Sequence, residues 1–207
     1  MALNHGGVAM SVYPVLLVHG IDDTNTRFKQ MHAVLLARGF RPVYAMDIIP
    51  SDASVSIEAM GSQVLDAVRK LQQTTPAQKV DVVAFSMGAL AVRYFLQRQG
   101  GRSMVRRFIS IAGPHHGTLS AYLRQNISCF QMRPGSDLLH DLNSDIDAWG
   151  DVKVSSFWSP LDLMVIPATS SLLVRAHNRA FKVVLHPWMV SDKRVIEAVT
   201  QTLAMPC

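Results

Sequence analysis

The sequence predicts an α/β protein whose single domain is built on a doubly wound, mostly parallel sheet of about six strands. Apolar runs of strand length alternate along the chain with longer segments in which apolar residues recur at helical spacing. The strand-like runs are continuously apolar, which is typical of parallel strands buried on both faces. The 207 residues contain no internal repeat and no linker, so one domain spanning residues 1–207 is favoured over two. Right-handed crossovers then place helices on both faces of the sheet.

The first half of the chain supplies two strand–helix units. A strand is predicted at 13–18, and a helix at 26–38 follows it and ends at Gly39, a C-cap signal. A second strand at 42–48 is followed by a helix at 55–73. Each unit has the length that a parallel βαβ connection requires.

The second half continues the alternation. A strand at 80–85 leads into a helix at 87–99, which Gly100 and Gly101 terminate. Further strands are predicted at 105–112, 154–158 and 182–185, and a helix at 192–203 closes the chain. Ligands of such a sheet bind beyond the carboxyl ends of the strands, so the residues that follow each strand are the candidates for chemistry.

Charge and cysteine content exclude several function classes. The formal charge of +5 comes from scattered Lys and Arg, with residues 102–108 (RSMVRRF) as the local cluster, and no nucleic-acid motif accompanies it. We therefore expect no nucleic-acid partner. Cys129 and Cys207 lack the spacing of zinc ligands, and free thiols are favoured over a disulfide, although bonding between them stays open. The first residues lack the pattern of a secretory signal, so we expect a cytoplasmic protein or one whose presequence has been removed.

Ser86 is the candidate nucleophile. It lies in the pattern A-x-S-x-G between an apolar strand and an apolar helix, where a nucleophile elbow is expected. Small residues are needed two positions before and after such a serine, and Ala84 and Gly88 meet that need. The alternative is that Ser86 merely caps the following helix, a role that serine fills very often.

Backbone N–H groups of Ile21 and Met87 are the predicted donors of an oxyanion hole. Met87 follows the serine at the start of a helix, and Ile21 follows the His19–Gly20 turn at the end of the first strand. Two such donors polarise a carbonyl and stabilise the oxyanion that develops on it. His19 itself is predicted to be structural.

His186 and Asp162 are the predicted base and acid. The order Ser86, Asp162, His186 is the order of an α/β-hydrolase triad. Of the eight histidines, His186 directly follows the last predicted strand, and Pro187 enforces a loop after it. Asp162 lies four residues beyond the strand that ends at Trp158, where the alternative is a simple turn carboxylate.

Four stretches of the chain resemble small bacterial lipases and esterases of the α/β-hydrolase superfamily, of the Bacillus lipase A type. They are PVLLVHGIDD, VDVVAFSMGALAVRYFL, SIAGPHHGT with the later QMRPGSDLLHDLN, and SPLDLMVIP leading to LHPWMVSD. An A-x-S-x-G elbow is a known variant in these lipases. The resemblance implies a minimal α/β-hydrolase fold and hydrolysis of an acyl ester or acylglycerol lipid through an acyl-enzyme. It assigns the nucleophile to Ser86, the acid to Asp162, the base to His186 and the oxyanion donors to Ile21 and Met87, with no metal or organic cofactor.

The sequence departs from this family after the histidine and in lacking the early antiparallel strands that the family usually has, and it carries one long insertion. Pro187 and Trp188 follow the histidine where a small residue is usual, and residues 119–150 form an insertion that is long enough to cap the site. The apolar residues of the insertion suit either an acyl pocket or the core, and both roles stay open; they are Leu119, Tyr122, Leu123, Ile127, Phe130, Leu138, Leu139 and Leu142. The rival functions are acyl transfer or thioester cleavage by the same triad, a non-catalytic binding protein of this fold, and peripheral membrane contact through RSMVRRF.

Overall fold

The centre of the molecule is a six-stranded parallel sheet, seen in a computed structural model that describes residues 13–145 and 147–206. Its strands are β1 (Val15–Val18), β2 (Val43–Met46), β3 (Val80–Phe85), β4 (Val105–Ile111), β5 (Lys153–Trp158) and β6 (His177–Ala180). The spatial order is β2-β1-β3-β4-β5-β6, and all five pairings are parallel. The predicted α/β class is therefore confirmed.

Helices cover both faces of the sheet. The α-helices are α1 (Lys29–Ala37), α2 (Ile57–Thr74), α3 (Met87–Arg98), α4 (Ile127–Gln131), α5 (Asp137–Ser144) and α6 (Lys193–Ala204). Apolar residues of α2, α3 and α5 pack in one core cluster with one face of the sheet, and those of α1 and α6 pack in a second cluster with the other. All six residues of β3 are buried, including the charged Asp81, which pairs with Arg106.

Polar side chains start several helices as the sequence suggests. The Ser56 hydroxyl accepts from the Ala59 N–H at the start of α2, and the Asp192 carboxylate accepts from the Arg194 N–H at the start of α6. Such caps satisfy backbone donors that have no partner within the helix. The α3 helix differs, because the Ser86 hydroxyl at its N-terminus makes no capping hydrogen bond.

The predicted last strand was wrong. Residues 182–185 follow β6 as a loop, and β6 is the exposed, polar edge strand His177–Ala180. The error arises because Phe181 and Val183 alternate into the core and imitate a strand, whereas the true strand has no buried residue. His177 is on β6, and the β5–β6 connection holds only the 3-10 helix Ala168–Ser171. His186 therefore begins the 3-10 helix His186–Val190 instead of directly following a strand.

The apolar residues of the insertion at 119–150 fall into two groups. Leu138, Leu139 and Leu142 of α5 are buried in the core. The 3-10 helix Leu119–Leu123 and α4 carry the exposed members of the set, which are Leu119, Tyr122, Leu123, Ile127 and Phe130. Within α4, Cys129 is a buried free thiol, whereas Cys207 lies outside the described residues.

The basic stretch 102–108 is largely built into the sheet. Arg106 pairs with the buried Asp81 on β3 and stacks on the ring of Tyr13, and Arg107 is 4% exposed. Across the two described ranges, no helix is both long and apolar enough to cross a bilayer.

Candidate active site

Ser86 occupies a strained turn between β3 and α3. Its backbone adopts φ 54° and ψ −126°, a conformation that L-residues rarely take and that costs on the order of 1–3 kcal/mol. The Ser86 N–H donates to the Ile111 carbonyl at 2.9 Å, which anchors the turn to β4. A Cβ on Gly88 would lie 2.1 Å from the His19 carbonyl oxygen, so this position requires glycine. Ala84 is fully buried at the other flank and its methyl group is accommodated.

The side chains of Ser86, His186 and Asp162 form one hydrogen-bonded chain. The Ser86 Oγ lies 2.9 Å from Nε2 of His186, and Nδ1 of His186 lies 2.7 Å from Oδ2 of Asp162. Because the carboxylate can only accept, Nδ1 carries the proton and Nε2 is free to accept the serine proton. The Ser86 hydroxyl makes no capping bond to α3, so its contact is with the imidazole.

The Asp162 carboxyl is held in its ionised form. Burial alone would raise its pKa, but the hydrogen bond and charge of His186 outweigh burial and keep the pKa below its usual value. The N–H groups of Met164 and Val165 add to this effect by donating to Oδ1 at 2.8 and 3.0 Å. Oδ1 of Asp162 is thus fixed by backbone N–H groups, and Oδ2 accepts from Nδ1 of His186.

The turn at His19–Gly20 packs against the elbow, and Ile21 follows it on the wall of the cavity that Ser86 also lines. A Cβ on Gly20 would lie 2.9 Å from the Ser86 Cβ, so the two turns are in close contact. No hydrogen bond among the described residues is donated by the Ile21 N–H. The N–H of Met87 begins α3, where helix donors have no intrahelical partner. His19 is buried and contacts backbone, since its Nε2 accepts from the Ile48 N–H and its Nδ1 then donates to the Gly20 carbonyl.

Ser159 joins the segments that carry the acid and the base, a role that the sequence analysis missed. This buried hydroxyl donates to the Val183 carbonyl at 2.6 Å and accepts from the Leu161 N–H at 3.1 Å. It therefore links the turn before Asp162 to the loop before His186. A Ser-Pro pair favours a turn, but nothing in the sequence indicates the distant partner of Ser159.

The triad opens into an apolar cavity of about 1020 Å³. Ile21 and Ser86 lie on its wall, and the exposed Leu163 and Leu185 lie at its edge. The insertion contributes Leu119, Ala121, Leu123, Cys129 and Met132 to the lining. Volumes of this order suit a small-molecule ligand, and the apolar lining suits an acyl chain.

Residues 113–118 (GPHHGT) contain two histidines, His115 and His116, and neither lines this cavity. His115 is fully buried and lies 2.7 Å from the Ser110 hydroxyl. Burial, followed by the charges of Arg93 and His116, holds its pKa well below the usual value. Nowhere in the described part of the chain do three or more His, Cys, Asp or Glu side chains come together as a metal site would require.

The parallel sheet, the serine elbow beyond β3 and the hydrogen-bonded Ser86–His186–Asp162 chain place the protein in the α/β-hydrolase class. The profile of the palmitoyl protein thioesterase family matches residues 14–161. The chain therefore belongs to that family, and the resemblance to small α/β-hydrolase lipases and esterases is confirmed.

Individual relatives point in the same direction. The chain is 30% identical to a triacylglycerol lipase of Vibrio cholerae over 130 residues, which are 61% of this chain and 40% of that lipase. It is 28% identical to a triacylglycerol lipase of Pseudomonas fragi over 107 residues, covering 51% of this chain and 36% of the relative. The matches thus span less than half of the length of either relative. The mature lipase BlEst2 of Bacillus licheniformis shares the fold, with a TM-score of 0.79 at 15% identity, over 100% of this chain and 96% of that structure.

Proposed function

We propose that this protein hydrolyses carboxylic esters by a serine mechanism in which Ser86 is the nucleophile, His186 the base and Asp162 the acid. The observation that carries the proposal is the continuous hydrogen-bonded chain from Asp162 through His186 to Ser86. A nucleophile in contact with a base that is oriented by a third group is the arrangement that covalent acyl transfer needs.

The reaction proceeds in two halves. His186 takes the Ser86 proton on Nε2 as Oγ attacks the ester carbonyl, and a tetrahedral intermediate forms. The N–H groups of Ile21 and Met87 stabilise its oxyanion, and His186 returns the proton to the departing alcohol. His186 then accepts a proton from the water that attacks the acyl-enzyme, and it returns this proton to the Ser86 Oγ as the acid is released. Asp162 stabilises the imidazolium in both halves without taking a proton.

An acyl ester or an acylglycerol lipid is the proposed substrate class. The apolar cavity beside Ser86 supports an acyl chain, and the printed names of the two lipase relatives support an ester of glycerol. Exposed apolar side chains, among them Leu123, Leu163 and Trp188, make peripheral contact with a lipid surface a further proposal. We assign no nucleic-acid partner to the reaction.

Thioester hydrolysis is the second candidate, and the family match favours it. The same triad cleaves a thioester through the same acyl-enzyme, with a thiolate that departs first and then takes the proton from His186. Because the thiolate needs no general acid to depart, the two candidates make different demands on His186 in the acylation step.

Turnover of p-nitrophenyl esters of increasing acyl chain length tests whether Ser86 is the nucleophile. Hydrolysis of S-palmitoyl-coenzyme A is measured in parallel to test the thioester candidate. We expect ester hydrolysis by the wild type, loss of it in Ser86→Ala, and full activity in Ser62→Ala, an exposed helical serine that serves as the matched control. Preference for the thioester in kcat/KM at equal acyl length would favour the second candidate. Undiminished turnover by Ser86→Ala would exclude both.

A further inference from the structure

The insertion reaches the loop that carries Ile21, the proposed oxyanion donor. Nη2 of Arg124 lies 2.8 Å from Oδ2 of Asp22, the residue that directly follows Ile21. Arg124 itself directly follows the 3-10 helix Leu119–Leu123, which begins the insertion. Both charged side chains line the cavity into which Ser86 opens. The ion pair therefore joins two segments of the active-site wall that are far apart in the chain.

Asp22 has a backbone conformation that its surroundings must hold. Its φ is 51°, in the left-handed region that few residues other than glycine adopt. Asp and Asn tolerate this region better than most residues, so the carboxylate can be changed to an amide without new backbone strain. A planar peptide bond joins Asp22 to Ile21, so a rotation of Asp22 out of this conformation would also move the backbone of Ile21.

The backbone of Asp22 has a second attachment, which also leads to the insertion. The Asp22 N–H donates to the Ser51 carbonyl at 2.9 Å. Two residues further along, the Ala53 carbonyl accepts from the N–H of Ser128 in the insertion at 3.1 Å. The loop that carries Ile21, the segment after β2 and the insertion thus form a closed ring of contacts, and the ion pair is a direct link between the loop and the insertion.

The ion pair is anchored on the insertion but contributes little to folding. The Arg124 carbonyl accepts from the Arg133 guanidinium at 3.2 Å, and this guanidinium lies 3.9 Å from the ring centre of Phe130. The Arg124 and Asp22 side chains are 43% and 51% exposed, and ion pairs that are this exposed add little to the free energy of unfolding. The effect of the pair on the loop can therefore be measured apart from its effect on the fold.

We propose that Arg124 is a positioning residue for the oxyanion hole, which acts through Asp22 to hold the backbone N–H of Ile21 in place. The inference rests on the proposed function, because it concerns the oxyanion that forms during ester hydrolysis. A displaced donor weakens the hydrogen bond to the transition state more than it weakens contact with the bound ester, so kcat is the constant that responds. The insertion thereby supports catalysis without contacting the reacting atoms.

Steady-state hydrolysis of p-nitrophenyl acetate tests the proposal on the full chain. We expect kcat to fall about three- to tenfold in Arg124→Gln and in Asp22→Asn, with KM little changed, because either substitution releases the same loop. Since both act through one contact, the double variant should be no slower than either single variant. Arg124→Lys keeps the charge and should retain most of the wild-type kcat.

Arg38→Gln is the matched control. Arg38 pairs with Glu197 at 3.0 Å through similarly exposed side chains, and neither residue lines the cavity. This variant loses an ion pair of the same kind and should keep the wild-type kcat. Thermal melts check that each variant is folded.

Ionic strength gives a second readout that needs no substitution in the wild type. Raising it from about 0.01 M to about 1 M shortens the Debye length from about 30 Å to about 3 Å, which screens an exposed ion pair. The wild-type kcat should then approach that of Arg124→Gln, whereas the kcat of Arg124→Gln should stay constant.

The outcomes separate this inference from the proposed function. Hydrolysis by the wild type with unchanged kcat in Arg124→Gln, or an equal fall in Arg38→Gln, overturns the inference and leaves the proposed function standing. Full activity of the double variant beside a slow Arg124→Gln also overturns it, because Arg124 would then merely neutralise a harmful carboxylate. Undiminished hydrolysis by Ser86→Ala, or none by the wild type, would overturn both.

Discussion

The Ser86 Oγ and the His186 Nε2 lie 2.9 Å apart although 100 positions separate the two residues in the chain. Ser86 is fixed by the turn after β3, and His186 by the loop that returns from β6 towards the same edge of the sheet. The pair is completed by Asp162, which holds the far side of the imidazole. The proposed chemistry depends on the relative positions of three chain segments. Single substitutions in these segments can therefore test it.

Asp162→Asn tests the acid. An amide at this position no longer fixes the proton on Nδ1 of His186 or stabilises the imidazolium, so we expect kcat for ester hydrolysis to fall by roughly 10³–10⁴-fold. KM should change little, because Asp162 does not contact the substrate in the proposed mechanism. Asp151→Asn, on the exposed turn before β5, is the control and should leave both constants unchanged.

Ser159→Ala tests the link between the acid and base segments. The substitution leaves the Val183 carbonyl without its hydroxyl donor, and we expect a loss of about 1–3 kcal/mol in the free energy of unfolding. If Ser159 positions His186, kcat should also fall about 10- to 100-fold at constant KM, and Ser159→Thr should restore it.

The control for Ser159 is another buried serine of the same region. The Ser156 hydroxyl donates to the Ser171 carbonyl at 2.5 Å, away from the triad. Ser156→Ala should lose comparable stability and keep kcat. An equal fall of kcat in both variants would assign Ser159 a structural role only.

Gly88→Ala and Ala84→Gly form a matched pair at the elbow. The new Cβ at position 88 would meet the His19 carbonyl oxygen at 2.1 Å, so the loop that carries Ile21 must move. We expect at least 3 kcal/mol of destabilisation, about the upper end of the usual range for overpacking, with loss of activity. Ala84→Gly should cost about 0.5–1 kcal/mol and keep activity. Urea unfolding and ester turnover measure both, and an active, stable Gly88→Ala would refute the account of this contact.

His115 makes stability depend on pH. Its pKa in the folded protein is held well below the ordinary value by burial and by the charges of Arg93 and His116, whereas in the unfolded chain it returns to about 6.5. Below that pH the unfolded chain binds a proton that the folded protein does not, so stability falls as pH falls, by up to about 1.4 kcal/mol per pH unit. Stability from this source is fully present only above the unfolded pKa.

Urea unfolding at several pH values between about 7.5 and 5.5 measures how the free energy of unfolding falls as pH falls. We expect His115→Gln, which cannot titrate, to show a shallower loss than the wild type, even if its stability at the higher pH is lower. Identical slopes would show that His115 is not the group responsible.

The sequence predicted most of the sheet because its strands are buried on both faces and therefore continuously apolar. Val15–Val18 is the clearest case, and Ser86 was singled out from its place after β3. The edge strand β6 was missed because it is exposed and polar, while Phe181 and Val183 in the following loop alternate like a strand. The structure brings His186 next to Ser86 although the strand used to select it is a loop, and its role as the base stays a prediction.

The rest of the site depends on contacts between segments that are distant in the chain. The bond from Ser159 to Val183 spans 24 positions, and no local pattern predicts it.

Reaction with a fluorophosphonate probe, followed by intact mass and peptide mapping, tests the central claim most directly. A phosphonyl group bonds to a serine oxygen only when a base activates that oxygen. The account predicts one adduct per chain, located on Ser86, with strongly slowed labelling in His186→Ala and none in Ser86→Ala. Labelling of a different residue, or ester hydrolysis that persists after Ser86 is fully modified, would contradict it.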